Sequence, residues 1–232
     1  MTHTQTIRQW FIENAAPHGK KAPDDYTGST NFVYGIRVPQ MRTFIRDWVK
    51  QHKDLSYEDW LTLLDTLYHG ESLDEHTVCG LLLTHYNQHR LRLPLSQFDL
   101  WLGCLTGWAE VDSTCQSSFT ATEVLQRWQE WQPFLQTLAQ DTNINKRRAS
   151  LVILIRPLRE TADERLLYLA FENIERLKSE KDKLITKAIS WVLREATKQH
   201  HSAIEAYLNA NAPTLPAIAV RETRTKLTTG TK

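Results

Sequence analysis

Residues 56–68 read SYEDWLTLLDTLY, and this stretch decides the fold class. Ser56 followed three residues later by Asp59 is a helix-start pattern, a capping box with Asp in place of Glu. Trp60, Leu61, Leu64, Leu67 and Tyr68 then recur at the three- and four-residue spacing of one helical face, which places them inward. The rhythm continues on both sides. Upstream, residues 5–14 carry Ile7, Trp10 and Phe11 on one stripe. A loop rich in Pro, Gly, Lys and Asp follows over 17–30, and Pro39 opens a helix with Met41, Phe44, Ile45, Trp48 and Val49 on one face. Downstream, residues 76–86, 98–106, 128–138, 143–157, 164–177, 182–198, 202–208 and 216–227 read as helices. No run alternates apolar and polar residues, and the eight glycines form no Asn-Gly or Asp-Gly hairpin signal. Short connections between such helices favour antiparallel pairs stacked side by side. The expectation is an all-α, single-domain protein over 1–232: a curved solenoid of degenerate HEAT-like repeats, with an irregular helical bundle as the alternative.

With 232 residues, 41% of them hydrophobic, the chain can bury its core without disulfides or metals. Cys79, Cys104 and Cys115 form no CxxC pair and are odd in number, so they read as small buried or half-buried thiols in a reducing compartment. The first residues lack a charged segment followed by an apolar run. The longest aliphatic run, 151–155, is far too short for a bilayer. These features lead us to expect a soluble, cytoplasmic protein. The net charge of +1 singles out no partner, but its distribution is uneven. Residues 1–53 hold eight Lys/Arg against four Asp/Glu, residues 54–140 three against twelve, and residues 141–232 seventeen against eleven. Two basic ends around an acidic middle form a basic groove if the chain curves onto one ligand, and an unevenly charged solvated surface if it does not.

Familiar catalytic patterns are missing. His85 and His89 lie four apart on what reads as one helix, without the glutamate of HExxH, and His200 and His201 are an ordinary helix-end pair. There is no Walker loop and no GxGxxG, so neither a metal nor another cofactor is expected. Four segments instead carry aromatic or charged residues that an apolar helix does not need. They are the stretch from Tyr26 to Met41, containing FVYGIRVPQM; GWAEVDSTC, in which Trp108 and Asp112 share a helical face; NKRRASLVILI, where Arg148 opens an apolar run; and KAISWVLREATK, with Trp191, Arg194 and Lys198. Each residue also has a bland reading: a core tryptophan, a capping or surface carboxylate, an arginine paired with a neighbouring helix.

Taken together and in this order, the four segments resemble the AlkD-type DNA alkylation-repair glycosylases from about Tyr26 to Leu227. KAISWVLRE is the most specific of them, and PTLPAIAVRETRTKL resembles the closing helix of that family. The resemblance implies a curved stack of HEAT-like repeats. It also implies a catalytic cleft of Trp108, Asp112 and Trp191, with DNA-backbone contacts from Arg148, Arg194, Lys198 and Arg221, joined by Arg224. Tyr26 falls where the family keeps an aromatic near DNA. Two departures are present. Ala109 stands where an acid is common, and 143–146 lack the aromatic often found before the arginine.

The implied reaction is hydrolysis of the N-glycosidic bond of purines alkylated at N3 or N7 (3-methyladenine, 7-methylguanine) in duplex DNA, by a monomer acting in base excision repair. The alkylated base is cationic and leaves without protonation. What remains is to stabilise an oxocarbenium-like sugar and place a water, which suits one fixed carboxylate, Asp112. Indole faces attract cations, which suits Trp108 and Trp191. The family leaves the lesion stacked rather than flipping it into a pocket. A non-catalytic protein binding bent, branched or damaged DNA is the alternative within the same superfamily, and a protein-binding HEAT scaffold lies outside it.

Overall fold

The computed structural model describes residues 1–16 and 27–231. The described residues contain helices, loops and one isolated bridge between Phe32 and Ser72, with no strand. They divide into two compact units, Met1–Thr114 and Cys115–Lys232. Among them, no helix is long and apolar enough to cross a membrane.

In the first unit the order is α1 (His3–Asn14), α2 (Val38–Gln51), α3 (Tyr57–Tyr68), α4 (Leu73–His85), α5 (Asn87–Arg92), α6 (Leu95–Cys104) and α7 (Gly107–Cys115). Alternate helices pack on each other, α1 on α3 and α2 on α4, while α3 also packs on α4 and α6. Ser56 caps α3 as its sequence announces, its Oγ accepting from the Asp59 N–H at 3.0 Å. Ser72 and Glu75 close a reciprocal capping box on α4. Trp60, Leu64, Leu67 and Tyr68 are buried as expected. Leu63 is buried and Leu61 only half-buried, so the covered face of α3 extends past Leu67 on the Leu63 side and stops short at Leu61. The helix expected over 76–86 stops at His85, since Tyr86 leaves helical geometry (φ −100°, ψ 66°). His85 therefore ends α4 while His89 lies in α5, and the two do not share one helix.

The second unit contains α8 (Ala121–Gln126), α9 (Trp128–Leu138), α10 (Ile144–Val152), α11 (Ile155–Glu160), α12 (Glu164–Leu177), α13 (Lys183–Asn211) and α14 (Ala217–Thr229). α13 is its axis, with α10, α11, α12 and α14 all packed against it. Residues 143–157 do not form the single helix expected from their apolar run. Pro157 has no N–H to donate to the carbonyl of Ile153, so the chain turns at 153–154 and restarts as α11 with Pro157 in its first turn. Helix α13 joins the two segments expected at 182–198 and 202–208 across a kink at His200 (φ −131°, ψ 38°). That histidine is buried rather than an ordinary surface residue. Cys79 and Cys115 are buried and Cys104 is half-buried, all as free thiols.

Candidate functional site

In the first unit the chemistry centres on α7. One turn of helix separates Trp108 from Asp112, which puts both on one face about 40° apart. Trp108 is half-buried, and Asp112 is 8% exposed. Glu110, two residues before Asp112, points the opposite way and is fully buried. Its Oε2 accepts from the Thr106 N–H at 2.7 Å and lies 2.7 Å from Nδ1 of His76. Its Oε1 accepts from the Ser29 hydroxyl and from Nδ2 of Asn31 at 3.0 Å. Nε2 of His76 meets the Tyr68 carbonyl at 3.0 Å, so both ring nitrogens face an acceptor. Burial alone raises the Glu110 pKa, but the hydrogen bond and charge of His76, with Ser29 and Thr106, outweigh it and hold the carboxyl below its ordinary 4.5.

This carboxylate clamps residues 27–31 onto the start of α7. The clamp depends on Gly107, which takes φ +71°. A Cβ there would lie 2.2 Å from the carbonyl carbon of Gly28. Gly80 of α4 fills the corresponding role on the other side, since a Cβ there would meet the Ser113 carbonyl oxygen at 2.0 Å. Trp108 and Asp112 thus ride on a short helix fixed from two directions. Ala109, where an acid is common in the resembling family, directs its N–H toward the Thr27 carbonyl at 3.4 Å.

In the second unit, one face of α13 carries Lys183, Lys187, Ser190, Trp191, Arg194 and Lys198 within an arc of about 100°. Lys183, Lys187 and Lys198 are exposed, and Trp191 and Arg194 are half-buried. The indole Nε1 of Trp191 donates to Oε1 of Glu195 at 3.1 Å, while Arg159 of α11 stands 3.5 Å from Oε2. Glu222 of α14 accepts from the Ser190 hydroxyl at 2.6 Å and pairs with Nε of Arg194 at 3.3 Å. Arg221 and Arg224 are exposed one turn apart on α14.

Arg148 is placed differently from a surface contact. It is 4% exposed and donates from Nη1 to the Leu184 carbonyl, tying α10 to the first turn of α13. Asn143, within the segment that departs from the family pattern, caps α10 by accepting from the Asn145 N–H at 2.9 Å. Lys146 pairs with Asp141 at 3.7 Å. Tyr26 lies outside the described residues. Among the described residues no group of three or more His, Cys, Asp or Glu could hold a metal ion.

Sequence reasoning missed Glu110, Glu195, Lys183 and Lys187. The two lysines were readable, since they continue the spacing of Arg194 and Lys198 backwards through Trp191. Glu110 gave no comparable signal, because apart from Thr106 its partners are 34 to 81 residues away along the chain.

The fold and these two clusters define the class: an all-helical, repeat-like protein with a tryptophan–aspartate pair on one helix and a basic, tryptophan-centred face on another. The chain belongs to the DNA alkylation repair enzyme family, whose sequence pattern it matches over residues 7–227, across both units. A predicted DNA alkylation repair enzyme from Enterococcus faecalis has a similar structure, with a TM-score of 0.68 over 97% of this chain and 95% of that one. The two are 18% identical, so that likeness concerns the fold. Curated protein sequences gave no match.

Proposed function

We propose that the protein is a monofunctional DNA glycosylase that hydrolyses the N-glycosidic bond of cationic N3- or N7-alkylated purines in duplex DNA. The observation that carries this reading is the pair on α7: a half-buried indole one turn before a carboxylate that is 8% exposed. A carboxylate shielded from bulk water acts more strongly on a nearby developing cation than a solvated one, because the local dielectric is lower. Asp112 stabilises the oxocarbenium-like sugar as the bond breaks and orients the water that attacks it. The electrons of the glycosidic bond leave with the cationic base, which departs neutral and needs no general acid.

Trp108 and Trp191 supply the cation-attracting faces, each worth roughly 0.5–2 kcal/mol depending on exposure. Lys183, Lys187, Lys198, Arg221 and Arg224 are exposed cations suited to phosphates, and they set affinity rather than lesion choice. Arg194 reaches the same face while tethered to Glu222. Arg148 acts on this reading through α13, because a phosphate contact would require it to release the Leu184 carbonyl. The protein works as a monomer in the cytoplasm.

The test is release of free base from a duplex containing one 7-methylguanine, followed by chromatography under single-turnover conditions. Time-dependent release above the spontaneous rate supports the reading. Salt-sensitive binding with no release makes the protein a non-catalytic reader of damaged DNA.

A further inference from the structure

His76 is buried on α4 with both ring nitrogens against acceptors, and that arrangement decides how many protons it carries. The 2.7 Å between Nδ1 and Oε2 of Glu110 needs one proton between them, since two bare acceptors at that distance repel. Glu110 does not own it. Its Oε2 already receives the Thr106 N–H, and its Oε1 the Asn31 amide and the Ser29 hydroxyl, which is the surrounding of an ionised carboxylate. Nε2 faces the Tyr68 carbonyl, which can only accept, so it needs a second proton. The other ionisable groups nearby are turned to other partners. On α4, Glu75 holds Arg8 at 2.7 Å and Asp74 accepts the Tyr34 N–H at 2.7 Å. On α3, the Tyr68 phenol donates to Thr114 at 3.4 Å and His69 faces Asp65 at 3.8 Å. On α7, Asp112 lies about 160° round the helix from Glu110.

We propose that His76 is a positioning residue for Trp108 and Asp112, acting as an imidazolium that anchors α7 to α4 through Glu110. His76 meets Glu110, and one turn further along α4 the backbone at Gly80 meets the Ser113 carbonyl so closely that a Cβ there would lie 2.0 Å from it. Asp112 stands between Glu110 and Ser113 in the chain, so α4 holds it on both flanks. Without the charge pair, α7 is free to roll about the Gly80 contact and carry the carboxylate off the reacting sugar. A displacement of about 1 Å is enough to cost about 10²-fold in rate. This rests on the glycosylase reading and adds to it a residue, on a neighbouring helix, that sets where the carboxylate stands.

Two measurements on the full-length protein test this. The first is the nitrogen-15 spectrum of the histidine rings at neutral pH, in which His76 should show both ring nitrogens protonated. The second is single-turnover release of 7-methylguanine by His76→Gln, Glu110→Gln and the double variant. Each single variant leaves one member of the pair buried without its partner, and should slow release about 10- to 10²-fold with duplex affinity held within a few-fold. The double variant keeps two side chains that can hydrogen-bond and has no charge to strand. It should recover to within about tenfold of the wild type. In His76→Gln, the deficit relative to the wild type should shrink as pH falls from about 8 to about 5.5, because the stranded Glu110 takes a proton from solvent. A merely structural role gives a deficit that does not change with pH.

A His76 with one bare ring nitrogen at neutral pH overturns this proposal, and it does so even if neither single variant folds. Release by the wild type that survives His76→Gln overturns it alone and leaves the glycosylase reading standing. Losses that multiply in the double variant also overturn it, since His76 and Glu110 would then act independently. No release by the wild type overturns the glycosylase reading, and the positioning role with it, whatever the spectrum shows.

Discussion

Replacing Glu110 by Gln is the perturbation most directly readable from the structure. The carboxylate is fully buried and accepts from Ser29, Asn31 and Thr106 while facing His76. A glutamine of the same size has one acceptor oxygen and an amide that can only donate. If the amide takes the Oε2 position, His76 can adjust by keeping its proton on Nε2, where the Tyr68 carbonyl accepts it. The Thr106 N–H cannot adjust and is left facing a second donor. If the amide takes the Oε1 position it faces the Asn31 amide instead. Charge-assisted bonds contribute about 1.5–3 kcal/mol and an orphaned buried donor costs about 1–3 kcal/mol, so a loss of about 3–5 kcal/mol is expected. For a chain of this length that corresponds to a fall in melting temperature of about 10 °C. Urea unfolding followed by circular dichroism reads the free energy, and a thermal melt checks it. A loss under about 1 kcal/mol would mean that Glu110 does not clamp residues 27–31 to α7, and the argument for a pre-set Trp108 and Asp112 would fall with it.

Gly107→Ala should destabilise by at least about 2 kcal/mol, since it combines a left-handed backbone with a Cβ driven into Gly28, and the same melt detects it. Asp74 is 2% exposed, and desolvation by burial raises its pKa from the ordinary 3.8 to about 6 despite the Tyr34 N–H it accepts at 2.7 Å. A raised acid weakens the fold as pH climbs from about 4 to 6, so Asp74→Asn should match the wild type near pH 3.5. It should be more stable at pH 7 by about 1–3 kcal/mol, and an equal difference at both pH values would refute this cause. Glu110 has the opposite sign: its lowered pKa stabilises the protein above about pH 4.5 and is lost on further acidification, which a pH series on Glu110→Gln should show as a flattened acid limb. Lys187→Ala and Lys198→Ala should each weaken binding to damaged and undamaged duplex alike and reduce the salt slope by about one, measured by fluorescence anisotropy.

Much of this was legible in the sequence because it is local. Ser56 with Asp59 marks a helix start, apolar spacing marks the buried faces of α2 and α3, and the helices at 128–138 and 164–177 were placed to the residue. The pairing of Trp108 with Asp112 on one face follows from i and i+4 alone. What was not legible depends on partners distant in the chain. Arg148 reads as an exposed cation before an apolar run, yet the Leu184 carbonyl, 36 residues on, takes its guanidinium inward. Glu110 reads as one more acid in the most acidic third of the chain, and only folding brings His76, Ser29 and Asn31 around it. The break at 153–154 was available in principle, since Pro157 forbids the hydrogen bond that would carry the helix through, but five consecutive aliphatic residues concealed it.

The central claim rests on the charge of one side chain. Single-turnover release of 7-methylguanine from a defined duplex, with wild-type protein and Asp112→Asn side by side, tests it most directly. The variant keeps the size of the side chain and removes the anion. The account predicts release by the wild type and a rate at least about 10²-fold lower in the variant, with duplex affinity held within a few-fold. Equal rates in the two proteins, or no release by either, would contradict it.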